Sequence, residues 1–225
     1  MFRLSIVAIL CRPMAENQTS RFSGTLILLS FYLFFCWLML RIVLQYIPAG
    51  TNTAFLNIKQ DYVQIPFYLT AFYIHVFSAM LVLPAGATQF SKTLMRKYPQ
   101  VHRLHGKAYV LIVLLFAAPS GFFIGLYANG GISSRISFCL LALLWIWFTW
   151  QAFNQARQKN FRSHKAFMYR SFALTLSAIT LRAWKYSFIA LFHPHPMDVY
   201  RVVAWLGWIP NLLVAEMILH KNQNK

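Results

Sequence analysis

Residues 140–153 read LLALLWIWFTWQAF, with no charged side chain and only Thr149 and Gln151 interrupting the apolar run. Extended back to Ile132, the segment has the length of a membrane-crossing helix, which takes about 20 mainly apolar residues. Of its tryptophans, Trp150 suits the belt at a bilayer surface, whereas Trp145 suits packing against a neighbouring helix. Five other segments share this character: 25–47, 67–89, 107–128, 166–191 and 199–219. Pro48 and Gly50 end the first, and Pro66 opens the second. Asn129-Gly130-Gly131 forms a tight turn between the third and fourth, and Pro194 and Pro196 break the chain before the sixth. The expected fold class is therefore all-α, a polytopic membrane bundle of six transmembrane helices over residues 25–220. Short tails at 1–24 and 221–225 flank it. No soluble domain, low-complexity tract or internal repeat is visible.

Composition agrees. The 225 residues are 59% hydrophobic and only 11% charged, against about a quarter charged in soluble domains. Lys and Arg number 21 against four acids, Glu16, Asp61, Asp198 and Glu216, for a net charge of +17. The placement of this charge excludes nucleic acid as the partner. One basic group, Lys92, Arg96, Lys97, Arg103 and Lys107, lies between spans two and three. Another, Arg157, Lys159, Arg162 and Lys165, lies between spans four and five. The remaining connections hold Lys59 against Asp61, Arg135 alone, and Asp198 near Arg201. The excess of Lys and Arg on alternate connections puts both basic loops and both termini in the cytoplasm, at an inner membrane. Arg3, Arg12, Arg21, Lys221 and Lys225 agree with that orientation. The partners expected are the bilayer itself and anionic lipid headgroups at the cytoplasmic face. Cys11, Cys36 and Cys139 have no paired spacing and read as packing residues. The start, MFRLSIVAILC, is reminiscent of a lipoprotein signal, but its apolar run is short and Leu10 precedes the cysteine. A cytoplasmic tail is expected instead. Ala117, Gly121 and Gly125 on span three allow close helix approach, and Pro119 among them is expected to kink that helix.

Residues 174–185, LTLSAITLRAWK, raise the functional question, because Arg182 falls within an apolar span. Depth decides which polar groups can meet. His75 and Arg41 fall in the same outer layer as Arg182, and these three are the candidate ligand-binding residues. His164, Met168, Ser171, Thr175, Ala178 and Arg182 form a stripe of small and polar residues at helical spacing. His75, Ser78, Val82, Ala85 and Gln89 form a second, and both suggest seams facing inward. With no acid at that depth, Arg182 points to a bound anion or a watery cavity. The alternative is that Arg41, Arg182 and Lys185 reach out to the headgroups. The inner layer holds His102, His105 and His164, the first and last at helix starts where an anion is favoured. Arg170 and Glu216 lie at compatible depth and are expected to form a structural ion pair.

The same residues make up a recognisable pattern: His75; His102-Arg103 with Gly106-Lys107 and Tyr109; His164-Lys165 with Phe167-Met168 and Arg170-Ser171; Leu181-Arg182; and Trp208 with Pro210-Asn211-Leu212 and Glu216. It resembles that of predicted bacterial multi-pass membrane proteins filed as a domain of unknown function. Phe167 stands where that pattern has Trp, and His105 is an additional histidine. The resemblance covers spans two to six and implies that these residues belong together, without implying an activity.

Three functions fit the sequence. The first is a polar site within the bundle that binds a small molecule or transports it, alone, as a homo-oligomer or as a subunit of a complex. Pro210 would break span six there, with Asn211 taking up the carbonyl that proline leaves free. The second is a b-type haem redox protein with inner-face histidine ligands, His102 or His105 together with His164; His193 and His195 belong to a loop. The third is a zinc hydrolase using His102, His105 and His164, since zinc needs three converging protein ligands.

Overall fold

The computed structural model describes residues 26–27, 29–193 and 196–223. The expected tail at 1–24, with Cys11 and Glu16, lies outside the described residues, as do Pro194, His195 and Lys225. Everything regular among the described residues is helical, with no strand. The helices are α1 (Leu29–Leu44), α2 (Tyr68–Thr88), α3 (Pro99–Gly125) and α4 (Gly131–Arg157). They continue as α5 (Phe161–Thr175), α6 (Ser177–Phe192), α7 (Pro196–Leu206) and α8 (Ile209–Gln223). Four helices are long and apolar enough to cross a membrane: α2, α3, α4 and the near-continuous α7–α8 over Met197–Lys221. α1 is apolar but shorter.

These segments become helices for the reason the sequence gives: apolar runs on nearly every face, which only lipid or protein can cover. Large apolar side chains such as Leu33, Phe34, Trp37, Leu115, Trp147 and Met217 accordingly remain exposed on the bundle exterior. Inside, Val82, Tyr109, Val113, Trp145, Leu174 and Trp208 form the main core. Trp145 is buried, whereas Trp150 is half-exposed.

Successive long helices run back and forth between two ends. At the basic end lie the short helix Lys92–Lys97, capped by the Ser91 side chain, and the turn between α4 and α5. The other, aromatic end carries a 3-10 turn at Ala54–Lys59, a short helix at Gln60–Val63 and the cluster of Tyr46, Leu56, Tyr68 and Phe72. α1 packs through Met39 against Leu83 of α2 and Ile179 of α6, and Tyr32 OH donates to the Leu83 carbonyl at 2.8 Å.

Three helix interruptions matter to the site. α3 contains a wide π turn at Val113–Ala117 immediately before Pro119, whose missing N–H removes a helical donor to the preceding turn. Leu176 alone separates α5 from α6, and Gly207-Trp208 separates α7 from α8. The latter two breaks face each other. Asn211 Nδ2 donates to the carbonyls of Gly207 (3.3 Å) and Ala173 (3.1 Å) and to Thr180 Oγ1 (3.0 Å). Thr180 in turn donates to the Gly207 carbonyl. Asn211 thus joins both breaks, and the carbonyl it takes on its own helix is that of Gly207. The carbonyl Pro210 frees is one residue earlier, because a proline deprives the residue four before it. Gly207 allows the crossing: a Cβ there would stand 2.9 Å from Cβ of Leu181.

The helix limits also differ from those read from the sequence. The third helix starts at Pro99, eight residues before Lys107, with the proline in its first turn where its ring is accommodated. His102, Arg103 and His105, expected ahead of span three or at its start, therefore sit within its first two turns.

Candidate functional site

Arg182 lies in the first half of α6, where one guanidinium N–H donates to the Ala178 carbonyl of its own helix at 2.7 Å. A guanidinium has five N–H donors, so four remain beyond that bond. Arg182 lines a cavity of about 330 Å³ between α1 and α6. Arg41, Gln45 and Tyr186 line the same cavity, and Phe35, Leu38, Met39 and Ile179 supply its apolar wall. Arg41 also lies over the Trp37 ring, 5.2 Å from its centroid. Neither arginine has an acid as a partner among the described residues. Asp198 pairs with Arg201 at 3.6 Å, Glu216 pairs with Arg170, and Asp61 is exposed.

His75 takes a different position. It is within electrostatic range of Arg182 but does not line the cavity. Its ring packs onto α3, with Nδ1 2.8 Å from the Ala117 carbonyl. A carbonyl only accepts, so Nδ1 carries a proton, and in the neutral ring Nε2 keeps its lone pair. The contact depends on Gly121, where a Cβ would come within 2.9 Å of the ring. Of the three candidate ligand-binding residues, the structure brings Arg41 and Arg182 to one cavity and holds His75 beside it. Lys185 bonds Tyr200 OH at 3.3 Å, tying α6 to α7.

At the basic end, His164 repeats the geometry of His75: its Nδ1 is 2.8 Å from the Ala152 carbonyl, again leaving Nε2 available. His102 lies within electrostatic range of His164, and its Nδ1 is buried with no partner among the described residues. His105 turns to α2, with Nδ1 3.2 Å from Thr88 Oγ1. Among the described residues no three His, Cys, Asp or Glu side chains come together to hold a metal ion. The zinc reading has no ligand set there, because His105 engages α2 rather than converging with the other two. Arg170 and Glu216 form a two-point ion pair between α5 and α8, with Nε–Oε1 2.5 Å and NH2–Oε2 2.8 Å.

Two features are not apparent from sequence. The first is a buried hydroxyl cluster at mid-bundle. Tyr109 OH is 2.7 Å from Ser171 Oγ and 2.8 Å from Thr175 Oγ1, and Ser171 Oγ is 2.7 Å from Thr149 Oγ1. Mutually satisfied, these groups lock α3, α4 and α5 together. The stripe containing Ser171 and Thr175 hinted at it, and Thr149 is the one hydroxyl in its tryptophan-rich run. The second is Lys59, which is buried rather than balanced by Asp61. Its ammonium donates to the Tyr127 carbonyl and lies 4.6 Å from the Tyr62 ring centroid. Burial first, and then the nearby Arg135 charge, push its pKa down to about 8.

No curated protein and no solved structure matches the chain. A family described as "Predicted membrane protein (DUF2306)" matches residues 72–219, which takes in α2 through most of α8 and, within them, His75, the basic-end histidines, Arg170, Arg182 and Glu216. On that match, which covers more than half of its length, the chain belongs to this family of membrane proteins of unknown function.

Proposed function

We propose that this protein crosses the inner membrane six times with both ends in the cytoplasm, and that its outward half binds a small anionic molecule at Arg182. The orientation rests on the Lys and Arg excess of the basic end, which is the cytoplasmic side by the positive-inside rule. In that arrangement α1 and the α5–α6 pair supply the two spans beyond the four long apolar helices. The binding role rests on one observation: Arg182 borders a cavity with most of its donors unspent and no described acid to neutralise it. An isolated charge at such depth is costly. An anion accepting charge-assisted hydrogen bonds from a guanidinium offsets that cost, each such bond contributing about 1.5–3 kcal/mol. Arg41 adds a second positive charge at the same cavity.

The test is thermal stability of the detergent-purified protein titrated with inorganic phosphate. Wild type is expected to gain stability saturably, and Arg182→Gln to weaken the apparent affinity roughly 10-fold or more. Arg157→Gln, at the basic end, should titrate like wild type. Equal phosphate responses from wild type and Arg182→Gln would remove the proposal.

A second reading, b-type haem at the basic end, is favoured by His164 alone. A ring whose Nδ1–H is fixed by a backbone carbonyl presents Nε2 in the manner of a metal ligand. His102 would be its partner. An absorption spectrum of air-oxidised and then dithionite-reduced protein decides it, since bis-histidine haem sharpens its α and β bands on reduction and a flat visible spectrum leaves no haem to ligate.

A further inference from the structure

We infer that the anion held at Arg41 and Arg182 is the phosphate headgroup of a membrane lipid, whose chain lies in the apolar half of the same cavity. The inference rests on the anion-binding reading above and specifies the ligand's class. α1 and α6 both run from the basic end towards the aromatic end, so their residue order gives depth directly. From α1 the lining passes from Phe35, Leu38 and Met39 to Arg41 and Ile42, and then to Gln45 just past the helix end. On α6 it passes from Ile179 to Arg182 and Ala183 and then Tyr186. Both walls therefore begin apolar and acquire their cationic and polar groups in the same direction. Phe35 to Gln45 spans about 15 Å at a helical rise of about 1.5 Å per residue. An inorganic ion needs only the charged half. The apolar half is complementary to an acyl chain pointing to the bilayer centre, with its headgroup towards the aromatic-end surface.

The cavity's surroundings supply such a molecule. The outer face of α1 exposes Leu33, Phe34, Trp37, Leu40 and Leu44, a surface that hydrocarbon covers, so the edge of the cavity along α1 meets lipid rather than water. Net negative charge on the headgroup is required because two guanidinium groups share the site with no described acid. A zwitterionic headgroup brings a cation of its own to the same place and gains less. This site is at the opposite end of the bundle from the basic loops, and its selectivity comes from two residues in a cavity rather than from diffuse surface charge.

The experiment is native mass spectrometry of protein released from nanodiscs of equal phosphatidylglycerol and phosphatidylcholine, run beside the inorganic phosphate titration. Wild type should retain phosphatidylglycerol at least about 10-fold over phosphatidylcholine, a factor equal to one 1.4 kcal/mol step in binding free energy. Arg182→Gln and Arg41→Gln should each lose that preference. Leu38→Trp, which adds bulk to the apolar half and leaves both arginines in place, should lose phosphatidylglycerol retention while keeping the phosphate response. If phosphate stabilises wild type but phosphatidylglycerol is not preferred, or Leu38→Trp retains it undiminished, the lipid assignment is wrong and the anion site stands. If neither probe responds to Arg182→Gln, both are wrong.

Discussion

An ammonium group buried away from water, with a second positive charge nearby, gives up its proton more readily than one in water, and Lys59 is in that position beside Arg135. Its pKa of about 8 in the closed Ala54–Val63 segment lies below the ordinary lysine value of about 10.4. Between those two values the opened segment binds a proton that the closed one does not. Closure is therefore increasingly favoured as pH rises through that window, and the full penalty applies below it. The thermal midpoint of wild type is expected to rise between pH 8 and 10 relative to Lys59→Met, in which that component is absent. Parallel pH profiles for the two would contradict this. Gly121 offers a second test. Its replacement by Ala puts a methyl group 2.9 Å from the His75 ring and should cost about 1–3 kcal/mol as overpacking. Much of that loss should be recovered in the Gly121→Ala/His75→Ala double variant, measured by thermal unfolding. Arg182, Arg170 and Glu216 were conspicuous in the sequence because a charge in an apolar run stands out in one dimension. The burial of Lys59 and the hydroxyl cluster on Thr149 were not, since each depends on which face of a distant helix arrives opposite.

Helices in this bundle are held together less by apolar contact, which lipid offers equally, than by side chains that satisfy carbonyls where the helical ladder is broken. Asn211 does this for three acceptors across two breaks. Asn211→Leu, close in size and without donors, should destabilise by about 1–3 kcal/mol by leaving the Ala173 carbonyl unpaired and the Gly207 carbonyl to Thr180 alone, read as a lowered thermal midpoint. The Arg170–Glu216 pair should contribute less despite its two-point geometry, because its side chains are 24% and 49% exposed. A double-mutant cycle with Arg170→Gln and Glu216→Gln should give a coupling of about 1 kcal/mol or below, falling with added salt. The break at Pro210 was signalled by the proline. The break at Leu176 had no such signal, because residues 172–181 contain neither glycine nor proline. It arises where Asn211, from another helix, takes the Ala173 carbonyl. The π turn in α3 was only half legible: Pro119 marked the place, but not the wide turn preceding it.

For the assembled protein the sharpest test concerns sidedness. In a cysteine-free background, a cysteine at exposed Asn57 should react with a membrane-impermeant maleimide added to intact cells, and one at Lys159 only after lysis. The reverse pattern would place the Arg182 cavity on the cytoplasmic side. Beyond the Asn211 junction the helices change partners: α6 packs with α7, and α5 with α8. The aromatic-end pair and the basic-end pair meet at the junction, and the long helix α4 packs on both α5 and α7. α6 has 16 residues and is about 24 Å long, so a 5° rocking about Leu176 carries its far end through about 2 Å. Arg182, six residues from the pivot, moves by only about 0.8 Å. Any such tilt is largest at Phe192 and smallest beside the junction, so the guanidinium occupies the part of α6 whose position a tilt changes least.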